Sequence, residues 1–320
     1  MLYPPFFDED QRFRIEKHAP GRTLSRRRFL MLTATGLLVA ACQSAPQTPP
    51  SGSATTTASA SPTSFPLARL QPITADNARR LTSLAVLSIN GQELAVGWAK
   101  SGSLLGVGNT FGEIEIWDAS TLKQAAVLKG HTDQVNRVRW SPDGSMFASA
   151  SSDGTVRIWQ NQQRTTLMTF QVPDSNIGNP ALSVAWSPDG KRIVAGCGNG
   201  AVEIWDLQTR TGQILEGEQS NSITTKAVWG IAWSPDGRLI ISPQYDGIIH
   251  VWNAVSGKNL TILQSDDLPN DVEWSPNGQI LASSSDKGTV QLWDPRTYKN
   301  ILTLQGRETV GWVYPHRRGL

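Results

Sequence analysis

This 320-residue chain has only two cysteines and four histidines. Such scarcity leaves no disulfide framework, and no His, Cys and carboxylate set stands at metal-ligand spacing. No apolar run reaches the roughly 20 residues a helix needs to span a bilayer. Neither sign of charge dominates: 29 basic residues face 27 acidic ones, and charged residues are 18% of the chain. That balance excludes a charge-rich disordered chain and argues against a polyanion binder, which would show a basic excess. A Walker-type or dinucleotide-type glycine loop is missing, as is a Ser in Gly-x-Ser-x-Gly. The expectation is a protein that is not an enzyme, with no metal, no cofactor and no nucleic-acid partner.

What is present is tryptophan. Twelve Trp stand against eight Phe and four Tyr, and all twelve follow residue 97. Charge is also uneven along the chain. Residues 1–28 hold seven basic and four acidic residues, residues 29–66 hold none, and residues 67–320 hold 22 basic and 23 acidic. The small positive excess therefore belongs to the N-terminal segment, and the remainder is close to neutral.

Ser25-Arg26-Arg27-Arg28-Phe29-Leu30 precedes thirteen mostly apolar residues that end in small ones, the layout of an export signal. Paired Arg26 and Arg27 before a modest apolar stretch resemble the bacterial twin-arginine signal. Val39-Ala40-Ala41-Cys42 then resembles the lipobox of bacterial lipoproteins, although Val39 stands where Leu is usual. The resemblance implies that Cys42 carries a diacylglyceryl group and becomes the first mature residue. Two acyl chains form a stable membrane anchor without a spanning helix. Residues 43–66 are drawn from Ser, Thr, Ala, Pro, Gly and Gln apart from Phe65, and have no apolar face to bury. As a coil they reach about 27 Å. The expected domains are a lipoprotein-type signal at 1–41, lipidated Cys42 and linker at 42–66, and a folded body at 67–320. The expected location is the outer face of the bacterial cytoplasmic membrane.

The body repeats. Ile116-Trp117-Asp118, Ile158-Trp159-Gln160, Ile204-Trp205-Asp206, Val251-Trp252-Asn253 and Leu292-Trp293-Asp294 close five segments, with successive Trp 42, 46, 47 and 41 residues apart. A second series, Trp98, Trp140, Trp186, Trp233 and Trp274, runs in phase 19 residues earlier. Four of its members lead into Ser-Pro-Asp-Gly or Ser-Pro-Asn-Gly, a composition suited to a type I turn. Asp153-Gly154, Asn199-Gly200 and Asp246-Gly247 are expected to form two-residue hairpins with positive φ. Alternating stretches such as Val156-Arg157-Ile158-Trp159 read as strands. Residues 165–170 and 260–264 read as fourth strands. Four short antiparallel strands in about 44 residues make one propeller blade.

The pattern resembles the WD-repeat family over residues 67–320. The resemblance implies an all-β propeller of five complete four-stranded blades, plus partial strands of a sixth. It also implies a hydrogen-bonded tetrad, which in the unit at 130–160 is His131, Ser151, Asp153 and Trp159. Elsewhere the pattern decays, with Cys197 at the Ser position, and Asn199 and Lys287 at the Asp position. Residues 81–89 read as a leftover fourth strand, and Val310-Gly311-Trp312 as a first strand. The expectation is either a ring that closes imperfectly or the truncated, frame-disrupted product of a longer gene.

His250 alternates with Ile249 and Val251 and is expected to face outward, while Asp266-Asp267 is expected to be a solvated loop. Family members typically bind partners on the face around the central channel. Carried over by position, the candidate protein-binding face is Gln134, Asn136, Ser152, Leu182, Trp229, Tyr245 and Asn270. Trp229 belongs to neither Trp series, and interface hot spot and packing between blades remain equal readings. The leading functional expectation is a non-enzymatic, membrane-anchored scaffold for protein partners. The alternative is an envelope propeller that binds or processes a small ligand, glycan or peptide, as in Tol-type periplasmic propellers or propeller hydrolases.

Overall fold

The computed structural model describes residues 86–215 and 226–306. Arg26, Arg27, Cys42, the linker and Val310-Gly311-Trp312 lie outside the described residues. The described chain is all-β, with one turn of 3-10 helix at Ser175–Ile177. Its twenty strands form five four-stranded antiparallel sheets, the architecture of a WD-repeat β-propeller.

Each blade is a meander. Blade 1 comprises β1 (Glu93–Trp98), β2 (Leu104–Asn109), β3 (Ile114–Asp118) and β4 (Lys123–Leu128). Blade 2 comprises β5 (Val135–Trp140), β6 (Met146–Ser151), β7 (Thr155–Gln160) and β8 (Thr165–Gln171). Blade 3 comprises β9 (Ala181–Trp186), β10 (Arg192–Cys197), β11 (Val202–Asp206) and β12 (Gly212–Ile214). Blade 4 comprises β13 (Ala232–Trp233), β14 (Leu239–Pro243), β15 (Ile248–Asn253) and β16 (Asn259–Gln264). Blade 5 comprises β17 (Pro269–Trp274), β18 (Leu281–Ser285), β19 (Thr289–Asp294) and β20 (Lys299–Gln305). Residues 86–89, the described part of the expected leftover strand, are not in a strand.

Turn chemistry sets these boundaries. In blade 2 the Gly144 N–H donates to Ser141 O at 2.9 Å, and Ser141 Oγ donates to Asp143 Oδ1 at 2.6 Å. The same Ser-to-acid bond recurs at Ser187–Asp189 and Ser234–Asp236, and Ser275 donates to Asn277. The Asp153-Gly154 hairpin differs from expectation, because Gly154 takes positive φ (78°) but Asp153 does not. Gly154 N–H donates to Ser151 O, so residues 151–154 form a turn ending in a left-handed glycine. That geometry suits a type I turn with a G1 bulge, and it leaves the Asp side chain free to serve as an acceptor.

Period-2 alternation gives every blade two apolar faces, and each inner face packs against the next blade. Ala148, Val156, Ile158 and Phe170 on one face of blade 2 meet Val184, Trp186, Ile193 and Trp205 of blade 3. The same relation joins blades 1 and 2, 3 and 4, and 4 and 5. First strands of successive blades lie side by side and form the inner ring. Trp140 Nε1 and Trp186 Nε1 each donate at 2.9 Å to a backbone oxygen of the previous first strand, Gly97 O and Arg139 O. The glycine at 97 allows this approach, since a Cβ there would stand 2.5 Å from Val138 O. Trp233 Nε1 and Trp274 Nε1 are buried and meet no acceptor.

The end faces differ. On blade 5, Ala282, Val290 and Leu292 occupy the positions of Ala148, Val156 and Ile158 but are only half-buried, and Leu304 is 47% exposed. On blade 1, Trp98 and Trp117 are half-buried, whereas their counterparts in blades 2–5 are buried. Among the described residues, no blade covers these two faces.

Candidate functional site

The unit carrying the complete motif shows how a blade holds itself. The Trp159 indole N–H donates to Ser149 Oγ at 2.7 Å, and that hydroxyl lies 2.7 Å from His131 Nε2. His131 Nδ1 lies 2.8 Å from Asp153 Oδ2. A single assignment satisfies all four groups: the Ser149 hydroxyl gives its hydrogen to Nε2, and Nδ1–H donates to an ionised Asp153. Burial outweighs the attraction of Asp153 and lowers the His131 pKa, so the ring stays neutral. Burial tends to raise Asp153, but hydrogen bonds from His131 and Thr155 prevail and hold it below the usual carboxylate range.

This corrects the expected tetrad, because its hydroxyl belongs to Ser149 and not to Ser151. Both side chains lie on the same face of β6, but the indole reaches only the one opposite Arg157. Ser151 Oγ instead donates to Asp133 O and accepts from Asp153 N. The signal that finds Ser149 is its ten-residue separation from Trp159. Ser242 and Ser283 precede their Trp by the same distance and accept from Trp252 and Trp293 at 2.8 and 2.9 Å. Ala195 and Val107 stand there in blades 3 and 1, so those blades lack the bond. Blade 5 replaces the missing turn acid: Asp267 Oδ2 accepts from Ser285 Oγ and from Lys287 N, and Lys287 Nζ lies 3.2 Å from Asp267 Oδ1.

Two further expectations change. Asp267 is buried, not solvated, while Asp266 is exposed. His250 is also buried; it stacks on Trp252 and meets Gln244 and Asn259, so it does not face outward. Cys197 is a buried free thiol, and burial pushes its pKa up, so it is no nucleophile. Among the described residues, no group of three His, Cys, Asp or Glu is placed to hold a metal ion.

The candidate face lies where first strands begin, beside the hairpins that join second and third strands. Gln134 Nε2 and Asn136 Nδ2 both donate to Ser152 Oγ, at 3.1 and 3.0 Å, and Asn136 also reaches Ala181 O of blade 3. The Tyr245 hydroxyl meets Asp286, whose other oxygen accepts from Asn270 Nδ2 at 2.7 Å. Asn270 Oδ1 in turn accepts from Ser284 Oγ at 2.9 Å. These residues thus form two polar networks, one on blade 2 and one across blades 4 and 5. Leu182 is buried and does not join the surface. Trp229 is 43% exposed and belongs to no core cluster. Phe111 stands at the Asp153 position of blade 1 and is 63% exposed. Sequence reading missed it because a motif search looks for the acid and passes over what replaces it.

A larger omission lies inside the ring. Arg137 and Arg139 stand three and one residues before Trp140, and Asp271 and Glu273 stand three and one before Trp274. Equal register sends both pairs into the channel, where Arg137 Nη1 lies 3.2 Å from Asp271 Oδ2 and Nη2 donates to Trp229 O at 2.8 Å. Blades 3 and 4 supply Ser183, Ala185, Gly230 and Ala232 at these positions, small enough for blade 2 to reach blade 5. Gly230 is required here, because a Cβ would stand 2.6 Å from Asp271 Cα. Two opposite charge pairs at one phase of a repeat are readable in sequence once strands are aligned by their Trp.

Comparison with known proteins agrees with this geometry where the motif is complete. The family described as WD domain, G-beta repeat, matches residues 122–160, the span that contains His131, Ser149, Asp153 and Trp159. A second family, eukaryotic translation initiation factor eIF2A, matches residues 171–292. The guanine nucleotide-binding protein subunit beta-5b of Danio rerio is 43% identical over 65 residues, 20% of this chain and 16% of that protein. The serine-threonine kinase receptor-associated protein of Dictyostelium discoideum is 49% identical over 47 residues, 15% of this chain and 16% of its own. A WD repeat-containing protein 26 homolog of Arabidopsis thaliana is 43% identical over 74 residues, 22% of this chain and 13% of its own. The chain thus spans about a sixth or less of each relative's length. The similarity reaches one or two blades.

Proposed function

We propose that this protein is a non-enzymatic scaffold that binds protein partners through the hairpin-side face of its propeller. It is exported through the twin-arginine signal at Arg26-Arg27 and held on the outer membrane face by lipid on Cys42. The observation that supports the binding face is the 43% exposure of Trp229 on a backbone restrained from both sides. Arg137 holds its carbonyl, and Gly230 packs against Asp271. A large indole presented at low conformational cost beside a polar rim has the properties of an interface hot spot. Repeat domains of this kind typically assemble proteins, and the sequence resemblance carries that expectation to this chain.

The test uses the mature acylated protein and a partner identified by crosslinking in membranes, then purified. Trp229→Ala is expected to weaken the purified complex at least about tenfold, while the unfolding midpoint stays that of wild type. Unaltered affinity removes this face from the function. Replacement of Cys42 by Ser is expected to release the protein from membranes, measured by fractionation. Retention of that variant overturns the anchor.

A further inference from the structure

At the end of the channel opposite the hairpins, the second charge pair does not close. Arg139 of β5 and Glu273 of β17 line a cavity of about 210 Å³, with Ala185, Ala232, Trp186 and Trp233 among its walls. The Arg139 guanidinium makes one side-chain hydrogen bond, Nη1 to Val138 O at 3.3 Å. Glu273 draws on the backbone of Trp274 alone, and the two side chains form no ion pair with each other. A guanidinium carries five N–H donors and a carboxylate about four acceptor sites, so most of both are unused. Only one level away, Arg137 and Asp271 do meet. The alanines at 185 and 232 leave the space that separates the lower pair.

Both side chains are half-buried in a cavity open to solvent, and they face a shared volume with opposite signs on its two sides. We infer that the cavity is a binding site for a small zwitterion of the α-amino-acid class, its carboxylate on Arg139 and its primary ammonium on Glu273. A planar guanidinium matches a carboxylate in bidentate fashion. A carboxylate with free lone pairs calls for N–H donors, which a primary ammonium has and a quaternary one lacks. A cavity of about 210 Å³ has room for a free amino acid. Trp186 and Trp233 form an apolar wall for its side chain. Burial pushes Glu273 up to about 6, against the pull of Arg139, so its carboxylate is charged above neutral pH, while burial lowers the Arg139 guanidinium. Arg137 and Asp271, the other charged pair facing this channel among the described residues, already neutralise each other.

The inference goes beyond the scaffold reading and does not depend on it, since the hairpin-side face and this cavity lie at opposite ends of the channel. Titration calorimetry of the full chain at about pH 7.5 tests it with glycine, valine and glutamate as probes. One-to-one saturable binding of at least one is expected. N-acetylvaline, valinamide and glycine betaine are each expected to bind at least about tenfold more weakly than valine, because each removes one charge or its donors. Glu273→Gln, which keeps the volume, and Arg139→Ala are each expected to cost at least about tenfold. Should Arg139→Ala fail to fold, Glu273→Gln and the blocked ligands decide the matter. No saturable binding of any of the three probes overturns the inference, as does equal binding of N-acetylvaline or glycine betaine. Binding untouched by Glu273→Gln also overturns it.

Discussion

A single hydroxyl ties the blade 2 motif together at the residue scale. Ser149 Oγ serves both Trp159 and His131, so Ser149→Ala strands a buried indole N–H and a buried imidazole nitrogen at once. The expected loss is about 2–3 kcal/mol in urea unfolding, at the upper end for an orphaned buried group. Ser151→Ala leaves both intact and is expected to cost about 1 kcal/mol. Acid acts on the same motif through two shifts of one direction. His131 is lowered in the folded state, so its contribution is complete above about pH 6.5 and is lost as pH falls further. Asp153 is lowered as well, so its contribution is present above about pH 4 and is lost below that. The stability carried by this motif is thus expected to decline from pH 7 to pH 5 and more steeply below pH 4, against an opposite trend from Glu203 and Glu273, whose carboxyls burial raises to about 7 and about 6. In His131→Asn the decline between pH 7 and 5 is expected to flatten, as read from urea midpoints. An identical slope in that variant refutes the assignment. The Trp-to-Ser spacing of ten was present in the sequence from the start, but Ser149 and Ser151 share a strand face and only indole reach separates them.

The element scale concerns turns. Each last hairpin closes with the fifth residue after the third-strand Trp in left-handed conformation: Leu122, Arg164, Arg210, Gly257 and Tyr298, with φ between 56° and 71°. Only blade 4 uses glycine. A non-glycine residue pays roughly 1 kcal/mol or more for that conformation, while glycine loses part of the gain to unfolded-chain entropy. Arg210 is exposed, so Arg210→Gly is expected to stabilise by about 0.5–1 kcal/mol, a rise of about 1–3 °C in Tm. A drop in Tm shows that the arginine side chain contributes more than its backbone costs. The existence and order of these strands were legible because alternation, Ser-Pro-Asp-Gly and paired Trp recur in phase. The hairpin subtype was not, because Asp-Gly serves a type I′ turn and a type I turn with G1 bulge equally well.

For the whole molecule, the decisive contrast lies between inner and end blades. Ile158 and Leu292 occupy the same repeat position, yet Ile158 is completely buried between blades 2 and 3 and Leu292 is half-buried. Ile158→Ala is expected to cost about 3–4 kcal/mol, within the range for a filled core site. Leu292→Ala is expected to cost less than about 1.5 kcal/mol, since less area leaves water in the native state. Equal losses in urea unfolding show that the blade 5 face is covered in solution. By itself, the sequence determined the blade count among the described residues and the strand order. These follow from local rules, period-2 alternation and turn residues repeated at a constant spacing. Tertiary structure alone decided that Ser149 holds His131, that Arg137 reaches Asp271 across the ring, and that Arg139 and Glu273 stand apart around a cavity. Those contacts join residues as many as 134 positions apart, and no local pattern states a distance between strands of different blades.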